Sequence, residues 1–268
     1  MSKNISILGC GWLGLPLAKS LLQNGFSIKG STTSLEKISL LELEGITPFL
    51  VRLEEQQISA SVADFLADSQ ILIINIPPKL RGGSTENFVA KITTLLPFIE
   101  NSTIEKVLFV SSTSVFGDDN DLVTEDSPLN PDTEGGRQLA IVENVLQKNR
   151  HFQTTILRFG GLIGEDRNPV RFLSGRENIE NPNAPINLIH QDDCIGIIEK
   201  IIALNSWDET YNAVAPFHPT RQEYYTQKAT ELNLALPKFA ASNTVTGKTI
   251  LSDYLIKSLQ HSFIKPRL

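Results

Sequence analysis

Cysteine is scarce in this chain of 268 residues: Cys10 and Cys194 are the only two. So sparse a pair sets up neither a disulfide framework nor a zinc-ligand spacing, and it suits a reducing, cytoplasmic environment. Basic runs are missing as well. The 24 Lys and Arg are scattered among 30 Asp and Glu, for a net charge of −6, whereas nucleic-acid binders concentrate positive charge on one face. No apolar stretch reaches the ~20 residues that a membrane-spanning helix needs. The opening Met1-Ser2-Lys3-Asn4 leads at once into a glycine-interrupted segment and has no signal-peptide pattern. Internal repeats and low-complexity tracts are also absent. What remains is a globular protein expected to meet a small molecule, with neither nucleic acid nor membrane as partner.

Hydrophobic residues make up 41% of the chain, ample for a packed core in one large domain or a domain with a smaller lobe. Short β-branched runs alternate with amphipathic segments, which predicts βαβ units and a parallel sheet. Strands are expected at Asn4 to Leu8, Phe26 to Gly30, Pro48 to Leu53, Ile71 to Ile76, Lys106 to Ser111 and Thr154 to Phe159. Short strands follow at Ile186 to Ile189 and Tyr211 to Val214. The apolar run Ile71 to Ile76 reads as a strand buried on both faces, stopped by Pro77-Pro78. Helices are expected after the first strand up to Asn24-Gly25, and at Asn87 to Phe98, Arg137 to Lys148 and Asp193 to Leu204. Glu165 to Pro185, rich in Asn, Pro and Gly, reads as an irregular excursion. From Thr220 onward the chain reads as mostly helical. The fold class expected is α/β, a Rossmann-type doubly wound parallel sheet with a small C-terminal substrate lobe. Residues 1–164 form the dinucleotide-binding domain, with its sheet completed by about 186–215, and residues 165–185 and 216–268 form the lobe.

The first strand runs into Gly9-Cys10-Gly11-Trp12-Leu13-Gly14. This Gly-x-Gly-x-x-Gly pattern lies between a strand and a helix, the setting in which it binds a dinucleotide. Gly9 makes the tight turn, Gly11 lets the backbone approach a pyrophosphate, and Gly14 lets the helix pack on the strand. N–H groups at the helix start then attract the phosphate charge. Backbone at Trp12 and Leu13 belongs to the same cradle. An NAD site carries Asp or Glu about 20 residues further on to hold the ribose hydroxyls. Here that stretch is Gly30-Ser31-Thr32-Thr33-Ser34, with no carboxylate. Ser31, Thr32 and Thr33 therefore point to NADP over NAD, with Lys37 as an added charge, although the usual Arg of NADP sites is absent. The same hydroxyls also suit a cap for the next helix, and the two roles are compatible.

Taken together the elements resemble the atypical, extended branch of the short-chain dehydrogenase/reductase superfamily, the sugar-nucleotide epimerase/dehydratase-like proteins. The resemblance is carried by Ile7 to Gly14, Ile76-Pro77-Pro78, Val110-Ser111-Ser112-Thr113-Ser114-Val115-Phe116-Gly117, Leu157 to Gly164 and Asn187 to Asp193. It implies a cofactor lying across the carboxyl ends of the strands, with Ile76, Pro77, Pro78 and Ser111 along it. It implies a C-terminal lobe closing over the substrate, Ser112 as the family's catalytic Ser/Thr, and a homodimer formed through the helix from Arg137. Active members also use Tyr-x-x-x-Lys, a tyrosinate acid/base whose pKa is lowered by the Lys and the nicotinamide charge. Aligning on Gly136 and Glu143 puts Gly135 at the Tyr position and Leu139 at the Lys position, and neither carries a proton or a charge.

Three outcomes follow from that departure. Asp132, Glu134 or Arg137 replaces the acid/base; a tyrosine such as Tyr211, Tyr224 or Tyr225 reaches in; or the chain does not catalyse this chemistry. The functional expectation is an NADP-dependent epimerase/dehydratase-like oxidoreductase acting on a sugar-nucleotide or similar polar metabolite. The alternative is a non-catalytic NADP(H) sensor or partner-binding protein. Arg171 and Arg176 stand where family members contact substrate, and Arg171 is the candidate donor to a phosphate or carboxylate. His190 with Asp192 and Asp193 lacks zinc-site spacing; one of the two Asp is expected to cap the following helix. Cys10 is expected to be a small filler in the turn.

Overall fold

The computed structural model describes residues 4–78, 80, 85–118, 122–242 and 247–267; residues 1–3, on which the expectation about a leader rests, lie outside them. In chain order the elements are β1 (Asn4–Leu8), α1 (Gly14–Gln23), β2 (Ser27–Thr32), α2 (Ile38–Leu43), β3 (Thr47–Leu50), α3 (Val62–Leu66), β4 (Ile71–Ile74), α4 (Phe88–Glu100), β5 (Lys106–Ser112), β6 (Leu122–Val123), α5 (Glu134–Gln147), β7 (Gln153–Phe159), β8 (Gly161–Ile163), α6 (Val170–Leu173), β9 (Leu188–His190), α7 (Gln191–Ala203), β10 (Thr210–Ala213), α8 (Arg221–Glu231), β11 (Thr249–Ile250) and α9 (Asp253–Leu259).

Seven strands form one parallel sheet in the order β10-β7-β5-β4-β1-β2-β3. This is the expected Rossmann-type α/β sheet. Helices cover both faces. α1, α7 and α9 pack with Leu41 of α2 on one side, and α3, α4 and α5 on the other. β4 lies at the centre with all four residues buried, as its unbroken apolar run requires. Winding reverses between β1 and β4, so a crevice opens beyond their carboxyl ends. The ends of the helices follow local chemistry. Asn87 caps α4 through its Oδ1, which accepts the Ala90 N–H at 2.9 Å. Thr133 caps α5 through the Gly136 N–H at 3.1 Å, so this helix starts three residues before the expected Arg137.

Two expectations need correction. The strand near Ile186 to Ile189 does not extend the main sheet. β9 pairs with β8 in a ladder of its own, and β10 completes the large sheet. The tail is also less helical than its composition suggests. Between α8 and α9 the described residues hold no helix, because the segment around Leu234-Ala235-Leu236-Pro237-Lys238 hydrogen-bonds back to the excursion. Gly175 N–H donates to Ala235 O at 3.1 Å, Lys238 N–H to Arg176 O at 2.9 Å and Ile179 N–H to Lys238 O at 3.1 Å. A long-range ladder outcompetes local helix propensity here. No described helix is long and apolar enough to cross a membrane.

Candidate cofactor and substrate site

The glycine turn sits at the crevice. Gly9 has φ +104°, and a Cβ there would lie 2.5 Å from Asn75 O. The turn is braced from both neighbouring strands. Ser31 Oγ accepts the Gly9 N–H at 2.9 Å, and Asn75 Nδ2 donates to Gly9 O at 3.1 Å. A Cβ on Gly14 would lie 2.1 Å from Gly9 O, so α1 rests directly on the turn. Gly11 is different: a Cβ there would meet nothing within 4 Å. Its glycine is not needed for packing, and the space beside it is open. No side chain caps the N-terminus of α1, and no acidic residue stands in its first turn. Open N–H groups and the positive end of the helix dipole therefore face that space.

Trp12 projects from the turn into a cleft of 620 Å³ that Cys10, Gly11, Lys37, Asp166 and Gln191 also line. Its indole Nε1 donates to Asp166 Oδ1 at 2.7 Å, its carbonyl accepts from Gln191 Nε2 at 2.7 Å, and the Arg167 guanidinium lies 5.0 Å from its ring. The turn is thus tied to the segment after β8 and to the start of α7. The backbone at Leu13 lies at the start of α1, and its side chain is buried against the core.

At the end of β2 the hydroxyls divide their duties. Ser31 is buried with its oxygen at the turn. Thr32 Oγ1 accepts the Ser34 N–H at 3.1 Å. Thr33 is exposed, and its carbonyl accepts from Arg52 Nη2 at 3.4 Å. Ser31 therefore supports the cradle instead of lining it. Arg52 lies outside the glycine motif and its ribose-end segment. The signal that reveals it is the β3-β2-β1 order, which lays the residues after β3 beside the end of β2.

Across the crevice, Ile76, Pro77 and Pro78 follow β4. Pro78 Cγ lies 3.9 Å from where a Cβ on Gly135 would stand, so Gly135 faces this wall and has room. Leu139, one turn further along α5, is buried in the core. Ser112 closes β5, and its Oγ accepts the Ser114 N–H at 3.1 Å, which leaves its own proton free to donate. Ser111 is a correction to the expected cofactor contacts. It points inward, and its hydroxyl donates to Glu143 Oε1 at 2.5 Å within the buried Glu143–Arg158 pair, because successive strand residues face opposite sides.

The substitutes for a missing acid/base are placed elsewhere. Asp132 Oδ2 accepts the Asp118 N–H at 2.9 Å. Glu134 is bonded by Gln138 and by Arg137, which hold its carboxyl below the usual range, so it is ionised and has no proton to give near neutral pH. Tyr211 pairs with Ser206 Oγ at 2.7 Å, toward the amino end of β10. Tyr224 packs with Ile163, Ile186 and Leu188, with Tyr225 against them. Burial raises the pKa of all three phenols, the reverse of what a tyrosinate base requires. Arg171 on α6 and Arg176 are exposed and line neither cleft. A second cleft, of 240 Å³, lies instead among Asp118, Asn187, Arg221 and Lys248. Lys248 Nζ donates to Phe116 O at 2.5 Å and pairs with Asp118 at 3.0 Å.

At the start of α7 the expected Asp cap is replaced by His190, whose Nδ1 accepts the Asp192 N–H at 3.2 Å. Asp193 is fully buried and accepts from Ile264 N at 2.6 Å and Lys265 N at 3.1 Å, which fastens the C-terminal tail. Burial pushes the Cys10 thiol up to about 12 and that of Cys194 well above its ordinary value. Both thiols are therefore expected to resist a thiol reagent at about pH 8 in the native protein and to react once the chain is denatured. Rapid native labelling of Cys10 would contradict the closed packing of the turn.

The seven-stranded parallel sheet and the glycine turn at the β1–β4 crevice define an α/β protein of the Rossmann type. The chain belongs to the same family as Protein YeeZ of Escherichia coli strain K12, with 34% identity over 266 residues that span 98% of this chain and 97% of that protein. No protein-family model matches the chain. Among solved structures, a conserved protein of unknown function from Silicibacter pomeroyi superposes with a TM-score of 0.80 at 21% identity, covering 99% of this chain and 95% of that one. UDP-glucuronic acid 4-epimerase from Bacillus cereus, in complex with NAD, superposes with a TM-score of 0.78 at 18% identity, covering 97% and 91%.

Proposed function

We propose that this chain binds NADP(H) at the glycine turn and acts as an epimerase/dehydratase-like oxidoreductase on a sugar-nucleotide or similar polar metabolite. The observation that carries the cofactor is Gly11, open on its Cβ side beside the uncapped start of α1. That is the space a pyrophosphate needs. The preference for NADP rests on Gly30 to Ser34, where no carboxylate stands to hold ribose hydroxyls or repel a 2′-phosphate. Gly9, Gly14 and the backbone at Trp12 and Leu13 form the cradle, Thr32 and Thr33 border the ribose end, and Ile76, Pro77 and Pro78 form the opposite wall. A lobe built from residues 165–185 and 216–268 closes over the substrate. The bound nicotinamide would supply hydride exchange. In this chain Ser112, with its proton free, orients a substrate oxygen, and Arg171 is the proposed donor to an anionic group on the substrate.

The chemistry proceeds without a tyrosine–lysine pair, since Gly135 and Leu139 occupy those positions. A second reading follows from the same residues together with the raised tyrosine pKa values: a non-catalytic NADP(H) sensor that presents a nucleotide-dependent surface to a partner. NADPH oxidation with small carbonyl compounds, NADP+ reduction with nucleotide sugars, and product analysis of the nucleotide sugars for epimerisation or dehydration, which return the cofactor unchanged, together separate the two. The enzyme reading expects turnover that Ser112→Ala lowers by about 100- to 1,000-fold, the range for removing one positioned hydrogen-bond donor to a reacting group. Tight NADPH binding with no turnover in any of these assays would leave the sensor. A cytoplasmic location and a homodimer through α5, where Ile141 is half exposed, complete the proposal. A monomer at high concentration in gel filtration would remove the dimer.

A further inference from the structure

We propose that Arg52 recognises the 2′-phosphate of NADP(H), with Lys37 as the second cation of that subsite. The inference rests on the NADP reading above and supplies what it lacks, a positive charge at the ribose end. A phosphomonoester carries close to two negative charges above its second pKa of about 6. Hydroxyls alone do not balance them: Ser31 and Thr32, whose oxygens accept N–H groups at the turn and the β2 end, offer one proton each and no charge.

The architecture delivers the missing cation from the neighbouring strand. β2 and β3 pair in register up to Thr32 with Leu50, and Val51 N–H then donates to Thr32 O at 3.0 Å. Arg52 follows directly. Its backbone is pinned: its N–H donates to Ser59 Oγ at 2.8 Å, and its carbonyl accepts the Ser59 N–H at 3.2 Å. From that fixed base the guanidinium reaches the end of β2, where Nη2 meets Thr33 O. This contact uses one of five guanidinium donors, so a planar edge remains for bidentate contact with phosphate oxygens. Among the described residues no carboxylate lies within ion-pair distance of Arg52 or Lys37. The nearby Glu55 is turned away, with its Oε1 accepting the Asn87 N–H at 2.9 Å. Lys37 borders Cys10 and Gly11 in the large cleft, which places a second positive charge next to the turn. NADH lacks the phosphate, so these two side chains discriminate between the cofactors without contributing equally to both.

The test is equilibrium titration of NADPH and NADH, in parallel, into the full chain and into Arg52→Ala and Arg52→Lys. Arg52→Ala is expected to weaken NADPH at least about tenfold, the worth of a charged hydrogen bond, and to leave NADH affinity unchanged, which also shows that the variant is folded. Arg52→Lys keeps part of the NADPH affinity. The NADPH preference of the unmodified chain should shrink as pH falls through about 6, and Arg52→Ala should lose that dependence. Equal weakening of both nucleotides, or of neither, overturns the assignment while leaving the cofactor site itself in place. An unmodified chain that binds NADH as tightly as NADPH overturns it as well, and locates the failure in the NADP reading.

Discussion

Gly11→Ala is expected to leave the fold intact and to remove nucleotide binding. Its Cβ would enter open space, with nothing within 4 Å, and the position has no left-handed φ. Thermal or denaturant stability should therefore change by no more than about 0.5 kcal/mol. The same methyl group would occupy the space through which the pyrophosphate must approach the N–H groups at the start of α1. Several charged hydrogen bonds of about 1.5–3 kcal/mol each depend on that approach, so affinity should fall by roughly a hundredfold or more. Gly14→Ala makes the contrast. Its Cβ would stand 2.1 Å from backbone at Gly9, so stability and binding should fall together. A Gly11→Ala variant that binds NADPH normally would mean that the open space beside the turn is not a ligand site.

Glu143→Ala is expected to produce the largest loss of stability among the variants considered for the site's framework. Glu143 and Arg158 are both buried, and Arg158 Nη2 donates to Glu143 Oε2 at 2.8 Å with Nε at 3.1 Å from the same oxygen. Ser111 on β5 donates to the same carboxylate, and the guanidinium lies 5.1 Å from the Phe116 ring. One carboxylate thus joins α5, β5, β7 and the segment that follows Ser112. Removing it strands a buried positive charge, at a cost of about 3–5 kcal/mol. Replacing both partners with apolar residues, as in Glu143→Leu with Arg158→Met, should cost much less, because the desolvation of both charges disappears with them. Denaturant unfolding of the single and double variants measures the difference. A single-variant loss under about 1 kcal/mol would show that the pair does not hold these elements together.

Much of this molecule is legible in its amino-acid sequence. The alternation of apolar runs and amphipathic segments locates the seven strands of the main sheet, and the strand–turn–helix setting of Gly9, Gly11 and Gly14 locates the crevice. Periodicity is a local signal, however, and it carries no information about which ladder a strand joins. β9 reads like any other short strand, yet it pairs with β8. The same blindness hides Arg52, which meets Thr33 only because β3 lies beside β2. Residue type is also a poor guide to direction at strand ends. Ser111 and Ser31 belong to hydroxyl-rich segments that face the crevice, but both oxygens are turned to structural partners. At the start of α7 two aspartates suggest a cap and a histidine nitrogen supplies it. The sequence pattern begins the helix at Arg137, whereas α5 already includes Gly135, and the room beside that glycine is visible only once Pro78 is seen across from it.

The most direct test of the account is titration of NADPH into the purified chain, followed by nucleotide fluorescence, with NADH in parallel. Micromolar binding of NADPH, and distinctly weaker binding of NADH, is the predicted result. Binding of neither nucleotide would contradict the assignment of the turn as a dinucleotide site.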